Sequence, residues 1–238
     1  MEINADFDQR AVVNTTNTAW VSSPSSGVER RMLDRIGDEV ARATTIVRFK
    51  PGSSFPMHTH DGGEEFLVLK GTFSDEFGDF GPGSYLRNPV GTSHTPFTRE
   101  GCTIFVKLWQ FQDGDTESIE IDTRQAAFAP GLVDGLSVLP LHQFETESTA
   151  LVRWQPGTTF NRHTHFGGEE IYVLEGTFED EFGSYPAGTW LRNPHQSTHT
   201  PFSDEGCLIY VKVGHLLTEL GTLRDPGERS PQATQQPA

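Results

Sequence analysis

Gly52-Ser53-Ser54-Phe55-Pro56-Met57-His58-Thr59-His60-Asp61-Gly62-Gly63-Glu64-Glu65-Phe66-Leu67-Val68-Leu69-Lys70-Gly71 returns 105 residues later as Gly157-Thr158-Thr159-Phe160-Asn161-Arg162-His163-Thr164-His165-Phe166-Gly167-Gly168-Glu169-Glu170-Ile171-Tyr172-Val173-Leu174-Glu175-Gly176. The likeness spreads outward from there. Residues 44–110 laid on 149–215 without a gap agree at 37 of 67 positions. A period of 105 residues is the length of a domain, far longer than a solenoid repeat. The chain therefore reads as two copies of one folding unit. The boundary falls in the polar run 112–117, which gives units at 1–112 and 113–220. Residues 221–238 contain Pro, Gln and Ser with no hydrophobic period, and read as a disordered tail.

Each copy is patterned as strands. Residues 44–49 are rich in β-branched side chains and stop at the turn Pro51-Gly52; 66–69 form an apolar run closed by Gly71; 104–109 form another. The second copy repeats them at 150–154, 171–174 and 208–213. Short strands with frequent turn residues predict an all-β sandwich or barrel. The stretch 30–42 has helix-forming composition, but Gly37 lies within it and strands surround it, so it is read as strand.

Six of the nine histidines form pairs at the same offset: His58/His163, His60/His165 and His94/His199, with Glu64/Glu169 as the matching acid. In extended chain, His-x-His places both rings on one face with Cα atoms roughly 6.5–7 Å apart. Two imidazoles so spaced can close on one cation at about 2.0–2.2 Å. The Gly-Gly pair before the acid permits the bend that brings its carboxylate in, and barrel closure supplies the distant histidine. One His-x-His could be an ordinary pair of surface or core side chains. Retention of all four residues in both copies, while Met57/Arg162 and Asp61/Phe166 diverged, favours metal ligation.

The other chemistry-bearing residues carry weaker signals. Tyr85/Trp190, Phe97/Phe202 and Phe55/Phe160 suit barrel core or the lining of a pocket. Arg87 and Arg192 read as salt-bridge formers, with anion binding as the other reading. Glu65 and Glu170 fall on the strand face opposite the ligands unless the register slips by one. His195, where the first copy has Val90, reads as a loop histidine or as an acid–base group beside the second site. Cys102 and Cys207 read as small buried hydrophobes.

Composition narrows the function. The net charge is -15, with no Lys/Arg-rich run, which argues against nucleic-acid binding. No stretch has the length of a membrane span and the first residues lack a signal-peptide pattern, so a cytoplasmic protein is expected. Two cysteines are too few for a disulfide framework.

These residues resemble the cupins. Gly52-x5-His58-Thr59-His60-x3-Glu64-x6-Gly71 is similar to the first cupin motif, and Gly83-x5-Pro89-x-Gly91-x2-His94 to the second. In the second copy Gly188-x5-Pro194-x-Gln196-x2-His199 departs by placing Gln196 where the motif has Gly. The Gly-Gly-Glu-Glu, Gly-Thr-Phe-x-Asp-Glu-Phe-Gly and Arg-Asn-Pro runs resemble the ChrR-type cupins, found fused to a zinc-binding anti-sigma segment. That segment's His-x3-Cys-x2-Cys pattern does not occur here. The resemblance implies a double-stranded β-helix (the cupin jelly roll) in two tandem domains, with one divalent ion per barrel, two per chain. It implies a regulatory protein that senses a small molecule or oxidant and is related to anti-sigma factors. Its other implication is a non-haem iron dioxygenase cleaving a diketone or hydroxyketone. Partners are then a small-molecule ligand or substrate, with a homodimer compatible and a sigma factor disfavoured by the missing segment.

Metal identity divides these functions. Three neutral imidazoles and one carboxylate leave a divalent ion with a formal charge of about +1. Zinc is satisfied by four ligands, which closes the site; iron, manganese or nickel prefers six and keeps two positions for substrate or oxygen.

Overall fold

In the computed structural model, which describes residues 1–216, the chain runs as short strands with one 3-10 turn at Thr15–Asn17. The ambiguous stretch 30–42 is strand, Val28–Gly37 turning into Ala41–Phe49. Gly37 makes the turn at φ +113, a conformation L side chains rarely adopt. The expected tail, 221–238, lies outside the described residues.

The two copies build the same antiparallel sheet. In the first, the order is Glu2–Ile3, Val28–Gly37, Ala41–Phe49, Cys102–Leu108, Glu64–Gly71, Ser84–Asn88 and Ile119–Asp122. In the second it is Ala129–Pro130, Leu136–Phe144, Glu147–Trp154, Cys207–Val213, Glu169–Asp180, Thr189–Asn193 and Ala11–Asn14. The last strand of each is exchanged. Ala11–Asn14 belongs to the first repeat yet pairs with Thr189–Asn193, and Ile119–Asp122 opens the second yet pairs with Ser84–Asn88. Each large sheet is thus completed by a strand that lies, in sequence, in the other repeat.

Shorter strands cover the inner face of each large sheet and make a double-stranded β-helix. Period-2 alternation sorts the side chains. From Glu64–Gly71, Phe66 and Val68 enter the first barrel with Phe73, Leu86 and Ile104, while Leu67 and Leu69 face the second barrel. The second copy does the same with Ile171 and Val173 inside and Tyr172 and Leu174 outside. The outward faces form a third core between the barrels. There Phe105 stacks on Tyr172 with ring centroids 4.9 Å apart, and Trp190 is fully buried.

This interface also buries charge. Lys107 Nζ lies 2.6 Å from Glu170 Oε2 across the barrels, and Lys212 Nζ lies 2.7 Å from Glu65 Oε2 and 2.6 Å from Glu147 Oε1. Trp190 Nε1 donates to Glu170 and the Tyr210 hydroxyl to Glu65. Glu65 and Glu170 therefore lie on the face opposite the expected ligands. Arg87 pairs with Asp115 at 2.8 Å, and Arg192 with Asp34 at 3.4 Å, which makes both arginines salt-bridge formers. Burial alone would raise the Glu65 carboxyl, but Lys212 and Arg87 outweigh it and hold it down at about 2.

Candidate metal centres

Antiparallel pairing assembles each site. His58–Thr59 pairs with Ser93–His94 so that His58 stands opposite His94, and His163 stands opposite His199 in the same way. His60 and Glu64 arrive across the Gly62-Gly63 bend. Gly63 sits at φ +75, and a Cβ there would come within 2.3 Å of the Phe111 ring. The result gathers all eight expected ligands into two groups of four: His58, His60, Glu64 and His94, and His163, His165, Glu169 and His199. Within each group the donor atoms lie within 4.8 Å of one another.

The remaining hydrogen bonds fix which ring nitrogens face inward. His58 Nδ1 donates to the Pro56 carbonyl at 3.0 Å. Thr92 Oγ1 donates to the Pro89 carbonyl and so accepts from His60 Nδ1, 3.0 Å away. His94 Nδ1 donates to Asp75 Oδ2 at 3.0 Å. All three Nε2 lone pairs are left pointing at the Glu64 carboxylate and at each other, with His60 and His94 Nε2 3.2 Å apart and Glu64 Oε2 3.3 Å from His60. In the second site His165 Nε2 and His199 Nε2 are buried with no hydrogen-bond partner among the described residues. Convergent buried lone pairs beside a carboxylate are unfavourable without a cation, and three nitrogens with one oxygen suit a divalent one.

Electrostatics agree. Burial lowers the pKa of His60, His163 and His165, which favours the neutral, ligating form. Burial also opposes charge on His94 and His199, but the hydrogen bonds to Asp75 and Asp180 and the nearby Glu64 and Glu169 carboxylates prevail and raise both. Asp75 and Asp180, like Asn88 and Asn193 whose amides donate to Glu64 and Glu169 at 3.0 and 2.9 Å, are site residues that ligand spacing alone misses. Such outer partners orient metal ligands. Their one sequence signal is that they too recur at the 105-residue offset.

The remaining sequence candidates divide. Phe55 and Phe160 meet His58 and His163 edge-on at 5.2 and 5.1 Å, whereas Tyr85 and Trp190 belong to the inter-barrel core. His195 Nδ1 accepts from the Gly167 amide at 2.8 Å, so it braces the loop before Glu169. His142 and His215, given no role from sequence, are buried against Arg87 and Glu170. Cys102 and Cys207 are buried thiols pushed up to about 11, which suits their reading as small hydrophobes.

Around the ligands the two sites differ. A cavity of about 220 Å³ adjoins His199 and Asn193 and is lined also by Arg10 and Phe182. Arg10 immediately precedes the exchanged strand. Its Nη2 donates to Asp180 at 2.9 Å and to the Tyr185 hydroxyl at 2.6 Å, and its Nε to Asn193 at 2.9 Å. The strand registers place Ser118 at the matching position of the first barrel.

Gln196 takes the left-handed backbone of Gly91, φ +62 against +89, and keeps the same amide bond to the preceding histidine's carbonyl. The loop survives, at a cost. Gln196→Gly is expected to stabilise the protein by about 1 kcal/mol, read as a higher denaturation midpoint, because an L side chain is disfavoured by roughly 1–2 kcal/mol in that region.

Fold and ligand set together define a two-barrel cupin with two candidate metal centres. The ChrR cupin-like domain model matches residues 8–112 and again 116–217, and the chain belongs to that family. No curated protein matches the sequence. Among solved structures it is similar to a "putative dioxygenase" from Nostoc punctiforme, with TM-score 0.74, 17% identity, and 94% of this chain and 88% of that one covered. It is also similar to a "putative glyoxylate induced protein" from Pseudomonas aeruginosa (TM-score 0.68, 16% identity, 85% and 88% covered). An oxalate decarboxylase from Bacillus subtilis follows at TM-score 0.58 and 15% identity, with 86% and 76% covered. At these identities the likeness is one of fold. Among the described residues no helix is long and apolar enough to cross a membrane.

Proposed function

We propose that the chain is a divalent-metal-dependent dioxygenase whose working site lies in the second barrel and takes a small diketone or hydroxyketone. The observation that carries this reading is the cavity beside His199, where a guanidinium and an aromatic ring meet a three-histidine, one-carboxylate site. His163, His165, Glu169 and His199 would hold the ion. Once bound, it supplies a Lewis acid and a template for oxygen and a chelating substrate.

The protein's own groups do the rest. Arg10 Nη1 takes no part in the bonds to Asp180, Tyr185 and Asn193, and is the donor available to a substrate oxygen. Phe182 lies 4.9 Å from the Arg10 guanidinium and gives the cavity an apolar wall. Asp180 holds the Nδ1 proton of His199, so the ring keeps the orientation that aims Nε2 inward. Among the neighbouring folds, one described as a "putative dioxygenase" supports the class.

A second reading, a sensor that binds a small molecule without turning it over, is favoured by the match to the ChrR cupin-like family. One experiment separates them. Protein purified without added metal is analysed for its ions, then oxygen consumption is followed with a β-diketone. Stoichiometric iron and oxygen uptake, lost at least tenfold in Arg10→Ala with metal content unchanged, is the expected result. Two tightly held zinc ions and no uptake would favour the sensor.

A further inference from the structure

A second and larger cavity, about 870 Å³, opens between the barrels, and no candidate metal ligand lines it. Its floor is made of residues paired by the duplication: Ile46 with Leu151, Leu67 with Tyr172, Thr103 with Leu208. The pseudo-twofold axis relating the barrels therefore passes through it.

Charge in this cavity breaks that symmetry. Arg31 stands opposite Ile46 in the sheet, while the matching place opposite Leu151 is filled by Leu139, a residue of the inter-barrel core. A guanidinium thus occupies a position that an apolar side chain serves in the other copy. Among the described residues Arg31 makes no ion pair, and its Nε is buried without a hydrogen-bond partner. Its neighbour across the Trp20 ring is another cation. Arg31 and Arg48 lie 4.2 and 4.1 Å from the indole centroid, and Arg48 is already paired with Glu29 at 2.6 Å. Burial and the nearness of Arg48 both press the Arg31 pKa downward. Lys70 and Arg124 also line the cavity, against Glu175 as its one carboxylate. In a chain of net charge -15 this is a local reversal of sign.

We propose that the inter-barrel cavity binds a small molecule with an apolar body and a carboxylate head, the head pairing with Arg31 and the body lying on the symmetric apolar floor. A guanidinium offers a carboxylate two parallel N–H donors, and an unpaired, partly buried one gains most from meeting it. The volume falls within the range of small-ligand sites, roughly 300–1,000 Å³. This site is separate from the metal centres and does not depend on the reaction proposed for them.

The test is calorimetric titration of the full chain with decanoate, with decanol as the neutral control. Saturable one-to-one binding of decanoate, at least tenfold weaker for decanol, is expected. Arg31→Leu, which copies the residue of the other repeat, should weaken decanoate at least tenfold while leaving metal content unchanged. Leu69→Trp, which fills the cavity from a half-buried position, should do the same by a different route. Protein stripped with a chelator should bind decanoate as before. Absence of saturable binding, equal binding of decanol, undiminished binding by both variants, or loss of binding on metal removal would each overturn the proposal.

Discussion

His60→Ala is expected to leave one divalent ion per chain in place of two, and His60→Ala/His165→Ala none, by elemental analysis of purified protein. The argument is geometric. His60 Nε2 is 3.2 Å from His94 Nε2 and 3.3 Å from Glu64 Oε2, so its loss opens the centre of the first donor set without touching the second. Retention of both ions in His60→Ala would refute the assignment. Acid should do reversibly what the substitution does outright. His94 and His199 have pKa values raised above the usual 6.5, and a proton on either Nε2 excludes the metal. Affinity should therefore begin to fall as pH drops through neutrality, by up to about tenfold per unit for each histidine that must lose a proton. Metal-dye competition across pH 5–8 reads this directly.

Lys212→Met is expected to be the most destabilising single change at the interface. Lys212 is buried and serves two carboxylates, Glu65 and Glu147, so its removal leaves them facing each other with less compensation. Breaking a buried pair from one side costs about 3–5 kcal/mol, whereas neutralising all partners together is often tolerated. Adding Glu65→Gln and Glu147→Gln to Lys212→Met should thus recover most of the loss in chemical denaturation. The pH dependence has a definite sign. The Glu65 carboxyl is held at about 2 in the folded protein against an unfolded value of 4.5, and that of Glu147 is also held low. The Glu65 contribution is full above pH 4.5 and is lost as pH falls through about 2, and that of Glu147 is lost in the same direction. If the triple variant is no more stable than Lys212→Met, the carboxylates are not the source of the cost.

Much of this molecule is legible in one dimension because duplication wrote it twice. Period-2 alternation predicts that Glu64 and Glu65 part to opposite faces, and one joins a candidate metal site while the other anchors the interface. The candidate ligands are readable because metal geometry restricts both residue type and spacing. Asp75, Asp180, Asn88 and Asn193 are harder, since an outer hydrogen bond needs only a polar atom at the right distance and many loop residues qualify. Arg10 lay beyond reach for a different reason. Its role depends on which sheet the strand Ala11–Asn14 joins, and local sequence has the same pattern whether that strand pairs at home or away. Arg31 reads as an ordinary strand arginine until the register shows Leu139 in its place on the other side.

The reciprocal loan of Ala11–Asn14 and Ile119–Asp122 has an evolutionary consequence. Two identical single-barrel chains trading arms would be a symmetric dimer, and any substitution in an arm would appear on both sides at once. Joining the partners in one polypeptide keeps the embrace but releases it from that mirror. Arg10 can then reach one candidate metal centre while the other half has Ser118 at the equivalent position, and Arg31 can stand where the other half has Leu139. Fusion converts a pair of equals into a molecule able to specialise its two halves independently.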